Sequence, residues 1–453
     1  MSAHSIFGTD GIRGRAGEGW LALDKVTRLG WALGEVLGKG PAQTGAARPV
    51  LLGHDGRRSG PELVDALAHG LSGAGFQPVS TGLITTPGLA YLTLAGDFQL
   101  GAMVSASHNP AEDNGIKVFS SAGEKLSDDL QDQIERLLQS PPAELPTGAG
   151  PSTATELEED YLAHLLRHAS GLSLDGVVIA LDCANGGGSR VAPRVFGRLG
   201  AQVASMASEP DGENINDGCG STYPERLIEE VRSRAARIGI ALDGDGDRCI
   251  LVDENGKIVH GDGIMTVLAR HAAAKGHYKD PRIVATVMSN RGLHRALREV
   301  GVGVVEVGVG DRQVVEGLRN ESLQLGGEQS GHIILGEENH YIGDGVLTAL
   351  HVLRVMQESG NSLSSLVAPY QPMPQVLLNV QVTEKPNLAN IPEIVDLVRS
   401  VEKQLGDDGR VLLRYSGTEP LARVMVEGTD LDFINARARE IADSIERQIG
   451  VAS

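Results

Sequence analysis

Apolar and polar positions follow one another along this chain in a unit that occurs three times. In its first copy, the apolar run Val50–Leu52 precedes a polar turn, a segment with leucines every four residues at 63–71, and a glycine-rich stop. Residues 177–206 and 282–307 repeat the order of strand, turn, helix, glycine and second strand. This spacing is typical of parallel βαβ units.

Each unit is followed by another short apolar run that ends in a polar loop. The three loops are SASHNP at 105–110, DGDGDR at 243–248 and GEQSGH at 327–332. In open α/β sheets, ligand groups gather outside the carboxyl ends of the strands. Three related domains would therefore each offer one loop to a common cleft, the alternative being that short βαβ segments resemble one another by chance.

Proline-rich and glycine-rich segments suggest where the domains meet. Residues 141–155 are interpreted as a linker, a second break is expected near Gly256, and a third at Pro369–Gln375. The predicted domains are 1–150, 151–255, 256–370 and 371–453. The last of them lacks the repeated unit and is predicted to be a smaller α+β domain.

Two capping boxes predict where helices begin. Ser59 and Glu62 stand three residues apart before the first helix, and Thr155 and Glu158 do so after the first linker. On the second of these helices, His164 and a histidine four residues later are interpreted as a solvated pair.

Composition and charge narrow the class of protein. With 453 residues the chain is too long for one core, and its net charge of −19 makes nucleic acid or an anionic membrane an unlikely partner. No run of 18 apolar residues and no leader segment is found. The 3 cysteines have no CxxC spacing, which is typical of a reducing compartment, so a cytoplasmic location is expected.

The DGDGDR loop is the strongest local indication of chemistry. Asp243, Asp245 and Asp247 alternate with glycines directly after an apolar strand. Crowded carboxylates repel one another, and a hard divalent cation with oxygen ligands relieves that repulsion. Mg²⁺ is the expected ion. An EF-hand is disfavoured because Arg248 stands where a glycine is needed and CILVD is predicted to be a strand; a solvated acidic turn is the remaining alternative.

Three further segments gain meaning only in combination. SASHNP offers serines for nucleophilic chemistry, and local reasoning does not choose between Ser105 and Ser107. Lys117, in DNGIKVF, is either an acid/base or a neutraliser of phosphate charge, unless it is a lysine that extends to solvent. RYSGTEP groups a guanidinium, hydroxyls and a glycine amide as an anion receptor, with an ordinary β-turn as the alternative.

Together these motifs and FGTDGIRG resemble the α-D-phosphohexomutase superfamily, over essentially the whole chain and in the same order. GEQSGH and FGTDGIRG are similar to its glucosamine branch. The resemblance implies a fold of three related α/β domains with mixed sheets around a central cleft, plus a smaller C-terminal α+β domain like the TATA-binding protein.

The resemblance also implies roles for individual residues. The phosphoserine falls on Ser107, which completes a Mg²⁺ site made by Asp243, Asp245 and Asp247. The resemblance implies that the reacting group is contacted by Arg13, His108, Lys117 and Arg248, the sugar by Glu328, Ser330 and His332, and the distal phosphate by Arg414, Ser416, Gly417, Thr418 and Arg423.

The implied activity is an intramolecular phosphotransfer that interconverts glucosamine 6-phosphate and glucosamine 1-phosphate, for UDP-N-acetylglucosamine and peptidoglycan precursor synthesis. Its intermediate is glucosamine 1,6-bisphosphate, which could also prime the enzyme, and the last domain is expected to close over the cleft. The alternatives are a phosphoglucomutase or phosphomannomutase, a metal-dependent phosphomonoesterase, and a sugar-phosphate sensor. A homodimer is left open as its assembly.

Overall fold

The structure is a computed structural model, and its described residues are 6–8, 11–38, 48–146, 148–416 and 420–450. Within them the chain divides into two units. The first runs to residue 287 and adds 305–367, and the second is formed by 288–304 and the part of the chain after 367.

The first unit begins with a mixed six-stranded sheet of order β1-β5-β4-β2-β3-β6. Its elements are β1 (Ile12–Arg15), α1 (Leu23–Leu37), β2 (Pro49–His54), α2 (Gly60–Gly73), β3 (Gln77–Leu83), α3 (Thr86–Ala95), β4 (Leu100–Val104), β5 (Asp113–Ser120), α4 (Asp128–Gln139) and β6 (Ser152–Thr153). Leucines at 63, 67 and 71 are fully buried, as their helical spacing predicts. The predicted linker at 141–155 contains β6, which pairs with β3.

A second sheet follows, of order β11-β10-β9-β7-β8. Its elements are α5 (Leu157–His168), β7 (Val178–Asp182), α6 (Val191–Arg198), β8 (Gln202–Met206), α7 (Glu225–Arg234), β9 (Ile238–Leu242), β10 (Cys249–Val252) and β11 (Ile258–Val259). Every residue of β9 and β10 is buried, because both faces of the sheet are covered by helices and loops.

The third sheet has the order β13-β12-β14-β15. The elements of this part of the chain are α8 (Gly261–Ala274), β12 (Arg282–Thr286), α9 (Arg291–Arg298), β13 (Gly303–Val307), α10 (Asp311–Glu321), β14 (Gly326–Gly327), β15 (Ile333–Ile334), a 3-10 helix (Gly336–Asn339), α11 (Gly345–Ser359) and α12 (Leu363–Val367). Helix α9 belongs to the second unit.

The predicted repeat is confirmed by the order of strands. In each of the three sequence repeats, the first strand lies between the next two strands of that repeat: β2 between β3 and β4, β7 between β8 and β9, and β12 between β13 and β14. β4, β9 and β14 run parallel to that first strand, and each pairs on its other side with an antiparallel strand. The three polar loops therefore leave equivalent strands of three similar sheets.

The rest of the second unit is an antiparallel sheet of order β16-β18-β17. Its elements are β16 (Gln375–Gln381), α13 (Pro392–Leu405), β17 (Arg410–Tyr415), β18 (Leu421–Glu427) and α14 (Leu431–Ile449). Helices α13 and α14 bury Ile394, Val401 and Ile441 in a core shared with the sheet, as an α+β domain requires. No helix among the described residues of either unit is long and apolar enough to cross a membrane.

Both predicted capping boxes are wrong. Ser59 does precede α2, but its hydroxyl makes no capping bond and accepts instead a 2.8 Å hydrogen bond from the side chain of Asn114. The second helix begins at Leu157, and Glu158 lies inside it with its carboxylate 2.8 Å from the guanidinium of Arg194. In each case a tertiary partner takes the side chain that the local motif would have used.

Candidate active site

Three aspartates converge in the loop between β9 and β10. Asp243, Asp245 and Asp247 are buried, and one carboxylate oxygen of each lies within 4.8 Å of the others. The Oδ1 atoms of Asp245 and Asp247 are buried and accept no hydrogen bond from the described residues. Hard carboxylate oxygens left without donors are what Mg²⁺ prefers as ligands, so this donor set fits the predicted ion.

The charges around this loop are unequal. Burial, and then the negative charges of Asp247 and Asp245, raise the pKa of Asp243 well above its ordinary value. Burial acts in the same direction on Asp247, but the positive charges of Lys117, His332 and Arg248 outweigh it and hold its pKa well below the usual range. Because one carboxyl resists ionisation while its neighbour is charged, a bound dication would stabilise the fully ionised set.

Ser107 lies directly against this aspartate cluster. Its Oγ donates a 2.6 Å hydrogen bond to Oδ2 of Asp243, and Nδ1 of His108 is 3.4 Å away. The side chain is buried and the backbone is left-handed, with φ at 53°, an uncommon conformation for a residue other than glycine. Such local strain persists only where the surroundings fix it.

Ser105, which local reasoning left as an alternative, has a different task. Its Oγ donates a 2.6 Å hydrogen bond to Oδ2 of Asp55 and accepts one of 2.8 Å from the main-chain N–H of Ser107. It is fully buried. Ser105 thus supports the loop, while the hydroxyl of Ser107 is the one that reaches the aspartates.

Arg57 holds the serine loop in place, and the sequence reasoning missed it. The side chain is fully buried and its Nε donates a 2.9 Å hydrogen bond to Asp55. Its other nitrogens donate to main-chain carbonyls of the loop, which are those of Ser107, Asn109, Pro110 and Asp113. The carbonyls of Ser107 and Asn109 also accept from the side chain of Asn216, at 2.9 and 3.0 Å. In the sequence, Arg57 stands in the polar turn that follows the run Val50–Leu52, where nothing local distinguishes it from its neighbours.

Lys117 extends from β5 into the aspartate cluster and does not reach solvent. Its Nζ lies 2.7 Å from Oδ2 of Asp245 and 3.4 Å from Oδ2 of Asp247, and only 2% of the side chain is exposed. The hydroxyl of Thr86 donates to the same oxygen of Asp245, at 2.5 Å. The antiparallel pairing of β4 with β5 places Met103 opposite Lys117, and so brings this lysine beside the serine loop that follows β4.

Other basic side chains surround the reacting region. The main-chain N–H of Arg248 donates to Asp243 at 3.1 Å, and its Nε is 3.8 Å from Oδ1 of Asp247. Burial and the positive charges of Arg248 and Arg13 lower the pKa of His108 to about 4, so this imidazole is neutral near pH 7. The exposed Arg13, on β1, thus contributes through its charge.

The GEQSGH loop joins the same site from the third sheet. Its Gly331 accepts a 3.0 Å hydrogen bond from the N–H of Cys249, which follows the DGDGDR loop. His332 is 3.6 Å from Oδ1 of Asp247; although burial lowers its pKa, the negative charges of Asp247, Asp311 and Glu328 raise it to about 9. Glu328 is half-buried and accepts from the N–H of Gly310 at 3.1 Å, while Ser330 is exposed.

A cavity of about 250 Å³ adjoins Lys117, Asp247 and His332. Ion pairs cross its edge, from Lys125 to Asp311 at 2.5 Å and from Arg319 to Glu124 at the same distance. They tie the first sheet's domain to the third, so the loops that meet at the aspartates are held by contacts on both sides.

The predicted anion receptor lies in the second unit. Arg414 on β17 is the register partner of Arg423 on β18, and burial together with the positive charge of Arg423 lowers the pKa of Arg414. The main-chain carbonyl of Ser416 accepts a 2.6 Å hydrogen bond from Lys385. Two guanidinium side chains therefore start from facing positions on neighbouring strands, a concentration of positive charge that an anion would offset. Gly417 and Thr418 lie outside the described residues.

The chain matches four family models in order. They are described as the phosphoglucomutase/phosphomannomutase α/β/α domains I, II and III and the C-terminal domain, and they match residues 4–144, 159–256, 260–373 and 377–444.

Similar proteins were found by sequence and by structure. A phosphoglucosamine mutase of Mycolicibacterium gilvum is 45% identical over 448 residues, which cover 98% of this chain and 99% of that one. A phosphoglucomutase/phosphomannomutase family protein of Burkholderia thailandensis matches the structure with a TM-score of 0.80, at 25% identity and over 100% of both chains. The N-acetylphosphoglucosamine mutase of Aspergillus fumigatus, in complex with GlcNAc-6P and magnesium, matches with a TM-score of 0.63 at 18% identity, over 97% of this chain and 95% of that one.

Proposed function

The chain belongs to the phosphoglucomutase/phosphomannomutase family, and on that premise we propose that it interconverts glucosamine 6-phosphate and glucosamine 1-phosphate. The observation that carries the proposal is the 2.6 Å contact between Oγ of Ser107 and Asp243, inside a cluster of three buried carboxylates. A serine hydroxyl beside a hard-cation site suits phosphoryl transfer, and the Mycolicibacterium relative is named for this substrate class.

The aspartates are proposed to hold one Mg²⁺ together with the oxygen of Ser107. When bound, this ion would neutralise charge on the phosphoryl oxygens. The residues of the chain supply the rest. Lys117, Arg248 and His332 are cationic groups in contact with the aspartate cluster, so they are placed to offset charge that develops during transfer.

The proposed reaction consists of two phosphoryl transfers. Phosphorylated Ser107 loses its phosphoryl group to the free hydroxyl of the sugar phosphate; the P–O bond to serine breaks, the P–O bond to the sugar forms, and the sugar hydroxyl gives up its proton. The resulting 1,6-bisphosphate turns round and returns its other phosphoryl group to Ser107. His108, whose ring is neutral near pH 7, and Lys117, beside the aspartate cluster, are proposed to move that proton to the oxygen of Ser107, which leaves as the hydroxyl.

Recognition of the rest of the substrate is assigned to two loops. Glu328 and Ser330 are proposed to bind hydroxyl or amino groups of the sugar, with His332 as a further donor. The non-reacting phosphate is proposed to bind Arg414, Ser416, Gly417, Thr418 and Arg423. Support comes from the facing guanidinium groups of β17 and β18, which would otherwise repel each other.

The setting of the enzyme follows as part of the same proposal. Three unpaired, buried cysteines suit a reducing cytoplasm, and the product would enter amino-sugar nucleotide synthesis. Whether the chain forms a homodimer is tested by the molar mass of the purified protein in light scattering.

A side-by-side assay tests the substrate. Values of kcat/KM are measured on the 6-phosphates of glucosamine, glucose and mannose, with released phosphate followed in parallel. The proposal expects glucosamine phosphate to be the best substrate and phosphate release to be minor. A better rate on glucose or mannose phosphate would make the chain a phosphoglucomutase or phosphomannomutase, and dominant phosphate release would make it a phosphomonoesterase.

A further inference from the structure

A second group of potential metal ligands lies elsewhere in the first unit. His168, in the last turn of α5, Glu338, in the 3-10 helix Gly336–Asn339, and His351, on α11, bring three ligand atoms within 4.8 Å of one another. We call these three residues the histidine cluster. None of them belongs to a loop that carries the proposed phosphoryl transfer.

The spacing of the histidine cluster suits a tetrahedral ion. Oε1 of Glu338 is 3.6 Å from Nδ1 of His168 and 3.7 Å from Nε2 of His351. Zinc bonds of about 2.0–2.2 Å to nitrogen and oxygen place neighbouring tetrahedral ligands about 3.3–3.5 Å apart. The two separations to Glu338 are therefore within a few tenths of an ångström of tetrahedral values, and one nitrogen of each imidazole lies within 4.8 Å of the other.

His351 provides an independent indication of a missing ligand. Its Nε2 atom is buried and makes no hydrogen bond within the described residues. That atom points to the carboxylate of Glu338, at a distance too long for a hydrogen bond. A buried imidazole nitrogen without a donor or acceptor is costly unless something else occupies its lone pair.

The surroundings hold the ligands in position. Arg354 donates to the main-chain carbonyls of His168 and Ser170, at 2.6 and 3.1 Å, and so fixes the end of α5. The side chain of Asn339, next to Glu338, donates to the carbonyl of Ile342 at 2.7 Å and contacts the ring of His164 at 3.1 Å. These contacts fix the main-chain segments that carry His168 and Glu338.

We propose that His168, Glu338 and His351 bind a transition-metal dication of the Zn²⁺ type, with solvent as the fourth ligand. Imidazole nitrogens favour Zn²⁺ over Mg²⁺, so the ion is of a different class from that of the aspartate cluster. The side chain of Glu338 is 56% exposed, which leaves the fourth position open to water. The bound ion would join α5, the 3-10 helix and α11, and so stabilise the first unit.

The same chain offers a matched control. His271 is 3.0 Å from Glu358, and 17% of its side chain is exposed, the same fraction as for His351. That pair comes with a lysine, Lys275, in place of a second histidine. An ordinary histidine–carboxylate contact therefore exists in the molecule without the third ligand that a metal needs.

The test titrates the tag-free full chain with ZnCl₂ by calorimetry, after chelator treatment and in excess Mg²⁺. The proposal expects one Zn²⁺ per chain, at least ten-fold weaker binding in His168→Gln and His351→Gln, and no change in His271→Gln. Glu338→Gln, at an exposed position, repeats the test without a buried change. Co²⁺ in place of Zn²⁺ should give the intense visible bands of a tetrahedral site in the wild type and in His271→Gln, and no such bands in His168→Gln or His351→Gln.

Three outcomes would overturn the proposal. One is no uptake of Zn²⁺ while Mg²⁺ is present. Another is equal affinity in the wild type and in both the His168→Gln and Glu338→Gln variants. The third is loss of Zn²⁺ binding in Asp243→Asn, which would place the ion at the aspartate cluster. Asp243→Asn should instead retain the full affinity for Zn²⁺.

Discussion

The aspartate cluster and the histidine cluster differ in how the chain builds them. The aspartates come from one loop, 243–247, and are buried against the serine loop, Lys117 and the GEQSGH loop, with only Asp247 reaching the adjoining cavity. The histidine cluster takes single residues from three elements and leaves its carboxylate half in solvent. Enclosure suits a site that must keep water from a phosphoryl group, whereas an open position suits an ion that stabilises or binds solvent.

The largest expected effect is a loss of activity when the aspartate cluster, but not the histidine cluster, is altered. Asp243→Asn removes a carboxylate that is proposed to bind Mg²⁺ and that contacts Ser107, and we expect kcat to fall by about 10³-fold or more, since metal and charge stabilisation contribute several kcal/mol. His168→Gln should keep full kcat. The measurement is the rate of glucosamine 1-phosphate formation at saturating Mg²⁺. Equal losses in both variants would show that the clusters are not functionally separate.

The next largest effect is a loss of stability, and it compares substitutions of the two arginines that hold the clusters in place. Arg57→Met leaves Asp55 buried without its partner, and breaking such a pair costs about 3–5 kcal/mol of stability. Arg354→Met loses hydrogen bonds to two partly exposed carbonyls, at about 1 kcal/mol each. Thermal melting of both variants checks the order. A milder loss in Arg57→Met than in Arg354→Met would contradict it.

A smaller effect comes from glycines at close approaches. A Cβ on Gly244 would lie 2.6 Å from the carbonyl oxygen of Ser107, so Gly244→Ala should push the serine from Asp243 and lower kcat about 10²-fold. A Cβ on Gly336 would lie 2.8 Å from Cα of Gln324, near Glu338. Gly336→Ala should therefore weaken Zn²⁺ binding and leave kcat unchanged. Steady-state kinetics and calorimetry on both variants distinguish the sites.

The smallest effect concerns pH and the support of the serine loop. Burial lowers the pKa of His54, an effect that the charge of Asp55 opposes in part, and Nδ1 of the neutral ring accepts a hydrogen bond from the N–H of Gly56 at 3.2 Å. Because the unfolded chain takes up this proton more readily, stability falls as the pH drops from 6.5 toward the lowered value.

His54→Gln should lose that dependence. Between pH 8 and pH 5, the free energy of unfolding of the variant should rise by about 1 kcal/mol relative to that of the wild type, which is the size of one hydrogen bond. Melting curves at the two pH values measure the difference, and the other titrating groups cancel because both proteins carry them. Parallel pH profiles would count against a role for the neutral ring.

The sequence predicted the features that are formed by residues close together in the chain. The strand, helix and glycine order gave three sheets of one layout, and the alternating aspartates gave a buried cluster after an apolar strand. The choice of Ser107 over Ser105 came from a resemblance, and the structure supplies a physical reason for it, because Asp55 engages the hydroxyl of Ser105. The family and the four-domain fold are confirmed by the comparisons.

What the sequence could not predict depends on residues far apart in the chain. Arg57 acts on carbonyls 50 or more residues away, and Glu158 pairs with Arg194 in place of capping its own helix. The prediction that His164 and His168 form a solvated pair is wrong for His164, whose ring is buried and stacked 3.8 Å from that of Tyr91. His351 reaches His168 and Glu338 only through tertiary packing, which the sequence does not show.

The central claim is that Ser107 carries the phosphoryl group, and a chase experiment tests it most directly. The protein is phosphorylated with glucosamine 1,6-bisphosphate, mapped by peptide mass spectrometry, and mixed rapidly with glucosamine 6-phosphate. We predict one phosphoryl group on the peptide that contains Ser107, its transfer to the sugar at the rate of turnover, and neither event in Ser107→Ala. A phosphoryl group on another residue, or a Ser107→Ala protein that turns over at the wild-type rate, would contradict the account.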